Sequence, residues 1–152
     1  ILKPLNGMGG ESIYKFDQVT DEEIGVFQSL SKNNTHVMLQ SFLPEIYDGD
    51  FRILIIHGEV CPIALARIPQ EGSFKGNLAA GGKGIAKEIS AQQKNVAKEI
   101  GKILIKNNIA FAGIDMIGNH LTEINVTSPT GAKEIFDQSG VNPIELLFNK
   151  LL

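Results

Sequence analysis

Phe111-Ala112-Gly113-Ile114-Asp115-Met116-Ile117-Gly118-Asn119-His120-Leu121-Thr122-Glu123-Ile124-Asn125-Val126 reads as two β-prone runs joined at a turn, and it decides the fold class. Period-two alternation puts Glu123 and Asn125 on one face of their strand. Whether Asp115 joins them depends on register. A two-residue loop, Gly118-Asn119, pairs Asp115 with Thr122 and sends the carboxylates to opposite faces. A three-residue loop, Gly118 to His120, pairs Asp115 with Glu123, Ile114 with Ile124 and Ala112 with Val126, which leaves one clean apolar face. The hydrophobic pattern selects the three-residue loop. Two carboxylates and an amide oxygen then converge on one sheet face, hard donors suited to Mg²⁺ completed by water and phosphate oxygens. The bland alternative is a polar row on the solvent side of a half-exposed antiparallel sheet.

A second hairpin lies upstream. Arg52 to His57 is strongly β-prone, Gly58-Glu59 turns it, and Val60 to Arg67 returns. Arg52 and Arg67 flank its apolar strands, and planar guanidinium groups suit carboxylate and phosphoryl oxygens, although a lone strand-end arginine is usually a snorkelling edge residue. Residues 68–88 then lose all periodicity while carrying Gly72, Gly76, Gly81, Gly82 and Gly84. Such a stretch suits a lid that excludes water from a charged intermediate. Ser90 caps the clearest helix, with Val96, Ile100, Ile103 and Leu104 on one face and Asn107-Asn108 at its end. Gly131 to Gln138 reads as a short helix ended by Gly140, and Asn142-Pro143 opens a final apolar helix.

The chain opens with a short apolar strand carrying Lys3, then the turn-forming run Asn6-Gly7-Met8-Gly9-Gly10. Bare backbone N–H groups in such a run can face phosphate oxygens, with a nearby lysine as point charge. It is not a P-loop, because the lysine precedes the glycines. Ser12 to Phe16 reads as a returning strand, Thr20 to Glu23 as a capping box ahead of a helix ended by Asn33-Asn34, and Val37 to Gln40 as another short strand. The class expected is α+β, a mainly antiparallel sheet with helices packed on one face. Ile1-Leu2-Lys3 reads as a strand already under way, so the chain is expected to be a piece of a longer protein.

Composition narrows the chemistry. The 152 residues carry 14 Lys and Arg against 17 Asp and Glu, a net charge of −3, which offers no basic field for nucleic acid or anionic lipid. One cysteine excludes an internal disulfide framework and a cysteine-based metal centre, and Cys61 reads as a small core residue. No apolar run approaches a membrane span. His36, His57 and His120 share no ligand spacing, and no Ser-His-Asp pattern occurs. A cytoplasmic protein without a side-chain nucleophile is the expectation.

Leu2-Lys3-Pro4-Leu5-Asn6-Gly7-Met8-Gly9-Gly10, Arg67-Ile68-Pro69-Gln70, Gly76-Asn77-Leu78-Ala79-Ala80-Gly81-Gly82 and Leu121-Thr122-Glu123-Ile124-Asn125-Val126-Thr127-Ser128-Pro129, taken in order, closely resemble the ATP-grasp domain of prokaryotic glutathione synthetase. The Glu-x-Asn pair occurs across ATP-grasp ligases; the Asn77–Gly82 loop and Asn125–Pro129 are narrower. The resemblance implies a ligase that phosphorylates the carboxylate of γ-glutamylcysteine with ATP and then joins it to glycine.

By position, the resemblance implies that Lys3, Gly7, Met8, Gly9 and Gly10 meet ATP phosphates, that Gln40, Ser41, Phe42 and Leu43 present backbone to adenine, and that Asp50 contacts the nucleotide. It implies that Asp115, Glu123 and Asn125 hold Mg²⁺, with Mn²⁺ as an alternative. Arg52 and Arg67 would neutralise the dipeptide carboxylate and the transferring phosphoryl group. Gly76, Asn77, Gly81 and Gly82 would form the lid, and Thr127 and Ser128 would lie near the peptide. Family enzymes are about twice this length, with an N-terminal substrate domain and a small subdomain bearing another ATP-contacting lysine, and they form homo-oligomers. Residues 1–152 are therefore expected to be one ATP-grasp fragment with little or no ligase activity alone. The alternatives are another ATP-grasp carboxylate–amine ligase and a non-catalytic nucleotide-binding module.

Overall fold

The computed structural model describes residues 1–7, 9–32, 35–76 and 81–151. Met8 and Asn77 of the expected site, and the Asn33-Asn34 helix stop, lie outside the described residues. The chain forms two compact units, Ile1–Pro44 and Glu45–Leu152.

In the first unit, β1 (Leu2–Pro4) and β2 (Val37–Leu39) pair antiparallel with Lys3 opposite Met38. Leu2 also exchanges both backbone hydrogen bonds with Tyr14 at 2.9 Å. The expected strand Ser12–Phe16 is thus reduced to one bridge. Positive φ at Gly9, Gly10 and Ser12 (64°, 83° and 55°) keeps residues 9–12 in turn conformations. Helix α1 (Asp21–Leu30) starts as its capping box predicts: the Thr20 side chain accepts from the Glu22 N–H at 3.3 Å, and Glu23 accepts from the Thr20 N–H at 2.9 Å. Ile24 and Phe27 of α1, with Leu2, Val19 and Leu39, line an apolar cavity of 220 Å³.

The second unit is built on a six-stranded sheet. Its strands are β3 (Asp50–Ile56), β4 (Glu59–Val60), β5 (Ile63–Ile68), β6 (Lys83–Glu88), β7 (Phe111–Ile117) and β8 (His120–Asn125), in the order β6-β5-β3-β7-β8 with β4 beside β3. All pairings are antiparallel, as expected for the class. The β3–β4 turn has positive φ at both central residues, His57 (47°) and Gly58 (76°), whose twist matches the flanking strands.

Two expectations change here. The aperiodic stretch 68–88 is a strand over its last third: β6 runs along β5 from Ile68↔Lys83 to Ile63↔Glu88. Its sequence hides this because an edge strand buries little and tolerates lysine. Gln138 holds its outer edge, accepting from the Ala86 N–H at 2.8 Å and donating to the Gly84 carbonyl at 3.2 Å. The helices also cover both faces of the sheet rather than one. Ile53, Ile55, Ala112, Ile114 and Met116 pack with Ala97 and Leu104 of α2 (Ala91–Lys106), whereas Leu54, Leu65 and Cys61 pack with Ile135 of α3 (Ala132–Ser139). Alternate residues of β3 therefore feed two separate cores.

Helix α2 begins at the Ser90/Gln93 capping box. Its buried residues are Gln93, Ala97, Gly101 and Leu104, while Ile103, expected inside, is 56% exposed. Small residues define the packed face because the β3–β4 turn comes so close: a Cβ on Gly101 would lie 2.5 Å from the Gly58 carbonyl oxygen. Gly140 ends α3 in the left-handed conformation, and α4 (Pro143–Leu151) starts with Asn142 Oδ1 accepting from the Ile144 and Glu145 N–H groups. No helix among the described residues is long and apolar enough to cross a membrane.

Candidate functional site

At one end of the α3-covered face the sheet turns from apolar to charged. Strand β3 supplies Asp50 and Arg52, β5 Arg67, β7 Asp115, and β8 Glu123 and Asn125. The ladder sets Asp50 opposite Arg67, Arg52 opposite Asp115, and Asp115 opposite Glu123. The sequence reading anticipated the last pairing but not its cause. The hairpin loop has two residues, with Ile117 opposite His120 and Met116 opposite Leu121, and a β-bulge between Asp115 and Met116 restores the Asp115–Glu123 pair. Thr122 is the extra residue, and its Oγ1 donates to the Asp115 carbonyl at 3.1 Å. Ile124, placed opposite Ile114 as expected, stays 44% exposed because β8 is a sheet edge.

Four of these charged residues are nearly inaccessible: Asp50 is 9% exposed, Arg52 and Arg67 7% each, and Asp115 2%. Arg52 donates from Nε to Asp115 Oδ1 at 2.5 Å and from Nη2 to Oδ2 at 2.9 Å. Arg67 Nη2 divides itself between Asp50 Oδ2 at 2.5 Å and Asp115 Oδ2 at 2.9 Å. Oriented with its nitrogen toward Glu123, the Asn125 amide donates to Glu123 Oε1 at 2.9 Å and accepts from Arg52 Nη2 at 3.1 Å. Glu123 is the exposed member.

The carboxyls answer differently to this setting. Burial pushes Asp50 up to about 6; the nearby Arg67 charge opposes that and the Asp115 charge adds to it. Burial acts upward on Asp115 too, but the Arg52 hydrogen bonds and the Arg67 charge outweigh it, so Asp115 lies below the usual carboxylate range. One Asp50 oxygen, Oδ1, is buried with no hydrogen-bond partner among the described residues.

Two guanidinium groups face three carboxylates here, leaving one net negative charge when all are ionised. Asp115, Glu123 and Asn125 are hard oxygen donors on one face, and that donor set and charge balance fit a divalent cation. The set is two acids and an amide; among the described residues no three His, Cys, Asp or Glu side chains gather as a metal site.

Other expected residues surround this core or lie in the first unit. Gly76 is buried against the ion pair, where a Cβ would stand 2.6 Å from the Arg67 carbonyl oxygen and 3.3 Å from Asp50 Cβ. Gly81 has φ 88° and packs on the Gln70 amide, and Gly82 directly precedes β6. Thr127 and Ser128 are exposed beyond β8, Ser128 with φ 46°. In the first unit Lys3 lies in β1, Gly7 follows a turn at Leu5-Asn6, and Gly9 and Gly10 lie in turn conformation at positive φ. Gln40 extends the β1–β2 ladder, its backbone N–H and C=O both bonded to Ile1, while Ser41, Phe42 and Leu43 continue outside regular structure.

A sequence profile described as prokaryotic glutathione synthetase, ATP-grasp domain, matches residues 1–140. The chain belongs to that ATP-grasp family. Proteins named glutathione synthetase are similar to it across most of its length: 52% identical in Nitrosomonas europaea and 48% in Shewanella oneidensis, each over 99% of the chain, and 48% in Pseudomonas aeruginosa over 89%. These alignments cover 48%, 48% and 43% of the relatives, so this ATP-grasp chain spans about half their length. Gly113, Thr130 and Gly131, which meet the Arg52 side chain, are not among the residues singled out from the sequence. A glycine inside the apolar run of β7 was the available signal, since it marks close approach of another group.

Proposed function

We propose that this chain is the ATP-grasp part of a ligase that makes glutathione from γ-glutamylcysteine and glycine with ATP. The observation that carries the reading is the cluster of Asp50, Arg52, Arg67, Asp115, Glu123 and Asn125, its arginines and aspartates buried and Glu123 exposed, in which cations and oxygen donors alternate on one sheet face. Such a cluster has charge to offer and no nucleophile, which suits a reaction run by positioning and neutralisation.

In the proposed reaction a carboxylate oxygen of the dipeptide attacks the γ-phosphorus of ATP, and the bond to ADP breaks. The glycine amine then attacks the acyl carbon; the carbon–oxygen bond to phosphate breaks, and the amine gives up its proton. Arg52 and Arg67 supply the positive field in which the two anions approach. Asp115, Glu123 and Asn125 would hold Mg²⁺, or Mn²⁺ in its place, which when bound draws charge from the phosphate oxygens. Lys3 and the Gly7, Gly9 and Gly10 backbone would meet phosphates, Gln40 to Leu43 the adenine, and Asp50 the nucleotide through Oδ1, which has no hydrogen-bond partner among the described residues. Gly76, Gly81 and Gly82 would belong to a covering loop, with Thr127 and Ser128 beside the peptide. The full-length ligase would be a cytoplasmic homo-oligomer; the single buried thiol of Cys61 suits a reducing compartment.

The test is product stoichiometry. The protein at the length of its relatives, given ATP, Mg²⁺, γ-glutamylcysteine and glycine, should release ADP and glutathione one to one, and the 152-residue chain should release almost none. ADP formed without glutathione, or an amine other than glycine used equally well, would overturn the reading.

A further inference from the structure

Arg52 and Arg67 are equivalent in sequence logic, each a strand-end arginine, but the fold treats them differently. Arg52 has an acceptor at every nitrogen: Nε and Nη2 fork onto Asp115, Nη2 also reaches the Asn125 oxygen, and Nη1 lies 3.4 Å from the Thr130 carbonyl and 3.5 Å from its hydroxyl. Its stem runs in a slot that admits no side chain. A Cβ on Gly113 would come within 2.9 Å of Arg52 Cδ and 2.9 Å of Pro129 Cβ, and one on Gly131 within 3.3 Å of Arg52 Cγ. Ser128 and Gly131, both at positive φ, bring the 129–131 segment back over the sheet to close that slot. The hydrogen bonds of Arg67 among the described residues run only from Nε and Nη2.

We infer that Arg52 is a positioning residue, seated by Gly113 and Gly131, that acts by holding Asp115 and Asn125 in place for a divalent cation, while the cation facing the substrate anions is Arg67. The inference rests on the metal assignment proposed above. A partner that fixes a metal ligand governs affinity for the metal, whereas a cation facing substrate governs substrate affinity.

The experiment compares Arg52→Lys, Gly113→Ala and Arg67→Lys in the protein at the length of its relatives. Mn²⁺ is the probe metal, ATP is present, and unbound Mn²⁺ is counted by its paramagnetic resonance signal; KM for γ-glutamylcysteine is measured alongside. Lysine keeps the charge but loses the fork. Arg52→Lys and Gly113→Ala are expected to weaken Mn²⁺ binding about tenfold or more, with the dipeptide KM within about twofold of wild type. Arg67→Lys is expected to raise the dipeptide KM about tenfold or more and to weaken Mn²⁺ binding less than Arg52→Lys does, since Arg67 makes one contact to Asp115 where Arg52 makes a fork. Unchanged Mn²⁺ binding in Arg52→Lys overturns the inference, whether or not the dipeptide KM rises. If Gly113→Ala fails to fold, Arg52→Lys decides alone. Wild-type protein that takes up no Mn²⁺ with ATP overturns the metal assignment instead, so the two failures are told apart.

Discussion

Arg52 and Asp115 stand directly opposite each other on β3 and β7 and join by two parallel contacts, Nε to Oδ1 at 2.5 Å and Nη2 to Oδ2 at 2.9 Å. Both side chains are almost fully buried, so neither charge can turn to water if the other is removed. Asp115→Asn should therefore cost about 3–5 kcal/mol, read as a lower urea midpoint, because two guanidinium groups lose their shared counter-ion. The paired change Arg52→Met with Asp115→Leu should cost less than Asp115→Asn alone. Lys133→Ala, at an exposed pair with Asp137, should leave the midpoint unmoved.

Asp50 gives the stability a pH slope of unusual sign. Its carboxyl titrates near 3.8 when free and at about 6 in the fold, so between those values the folded chain holds a proton that the unfolded chain has released. Its contribution is fully present below the free value and lost as pH rises through 6, a change of about 3 kcal/mol at most. Asp115, shifted down, acts oppositely: its contribution is present above the free value and lost as pH falls through its folded value. Urea unfolding between pH 4 and 7 should show stability falling as pH rises, and Asp50→Asn should flatten that slope. A wild-type curve that rises across this window would contradict the assignment.

Two helical glycines should respond in opposite directions to alanine. At Gly101 the new Cβ would lie 2.5 Å from the Gly58 carbonyl oxygen, and backbone must move to admit it. Gly101→Ala should cost about 1–3 kcal/mol. Gly25, on the exposed side of α1, has nothing within 4 Å of its virtual Cβ, and Gly25→Ala should gain about 1 kcal/mol. Thermal melts of both variants check the pair, and a shift of the same sign in both would refute the packing account.

Local chemistry was readable wherever it was self-contained. The Thr20/Glu23 box, the Ser90 cap, the Gly140 stop and the Asn142-Pro143 start each satisfy backbone groups within a few residues, so short segments disclose them. The Asp115–Glu123 pairing was readable because a one-residue slip would turn every side chain over. What escaped depends on partners distant in the chain. Strand β6 exists because β5 and Gln138 hold it, and the buried face of α2 is written in Ala97 and Gly101 because the Gly58 turn presses there. The seat of Arg52 draws on Gly113, Thr130 and Gly131, none of which carries chemistry of its own.

Thr122 is a spare residue in register terms, and its removal offers a direct test of how the hairpin positions its acids. The two-residue turn Gly118-Asn119 sets Ile117 opposite His120 and Met116 opposite Leu121. An uninterrupted ladder would next put Thr122 opposite Asp115, with Glu123 on the far face; the bulge absorbs Thr122 and brings Glu123 into that place instead. Deleting Thr122 should leave Met116 opposite Leu121 and Asp115 opposite Glu123, with the bulge gone. The loss should be limited to the hydroxyl contact with the Asp115 carbonyl and to local twist, about 1 kcal/mol. Cross-strand NOEs between the Asp115 and Glu123 backbones should persist in the shortened chain. A variant that pairs Asp115 with Ile124, or one that loses β8 altogether, would show that the bulge determines the placement of the acids rather than accommodating it.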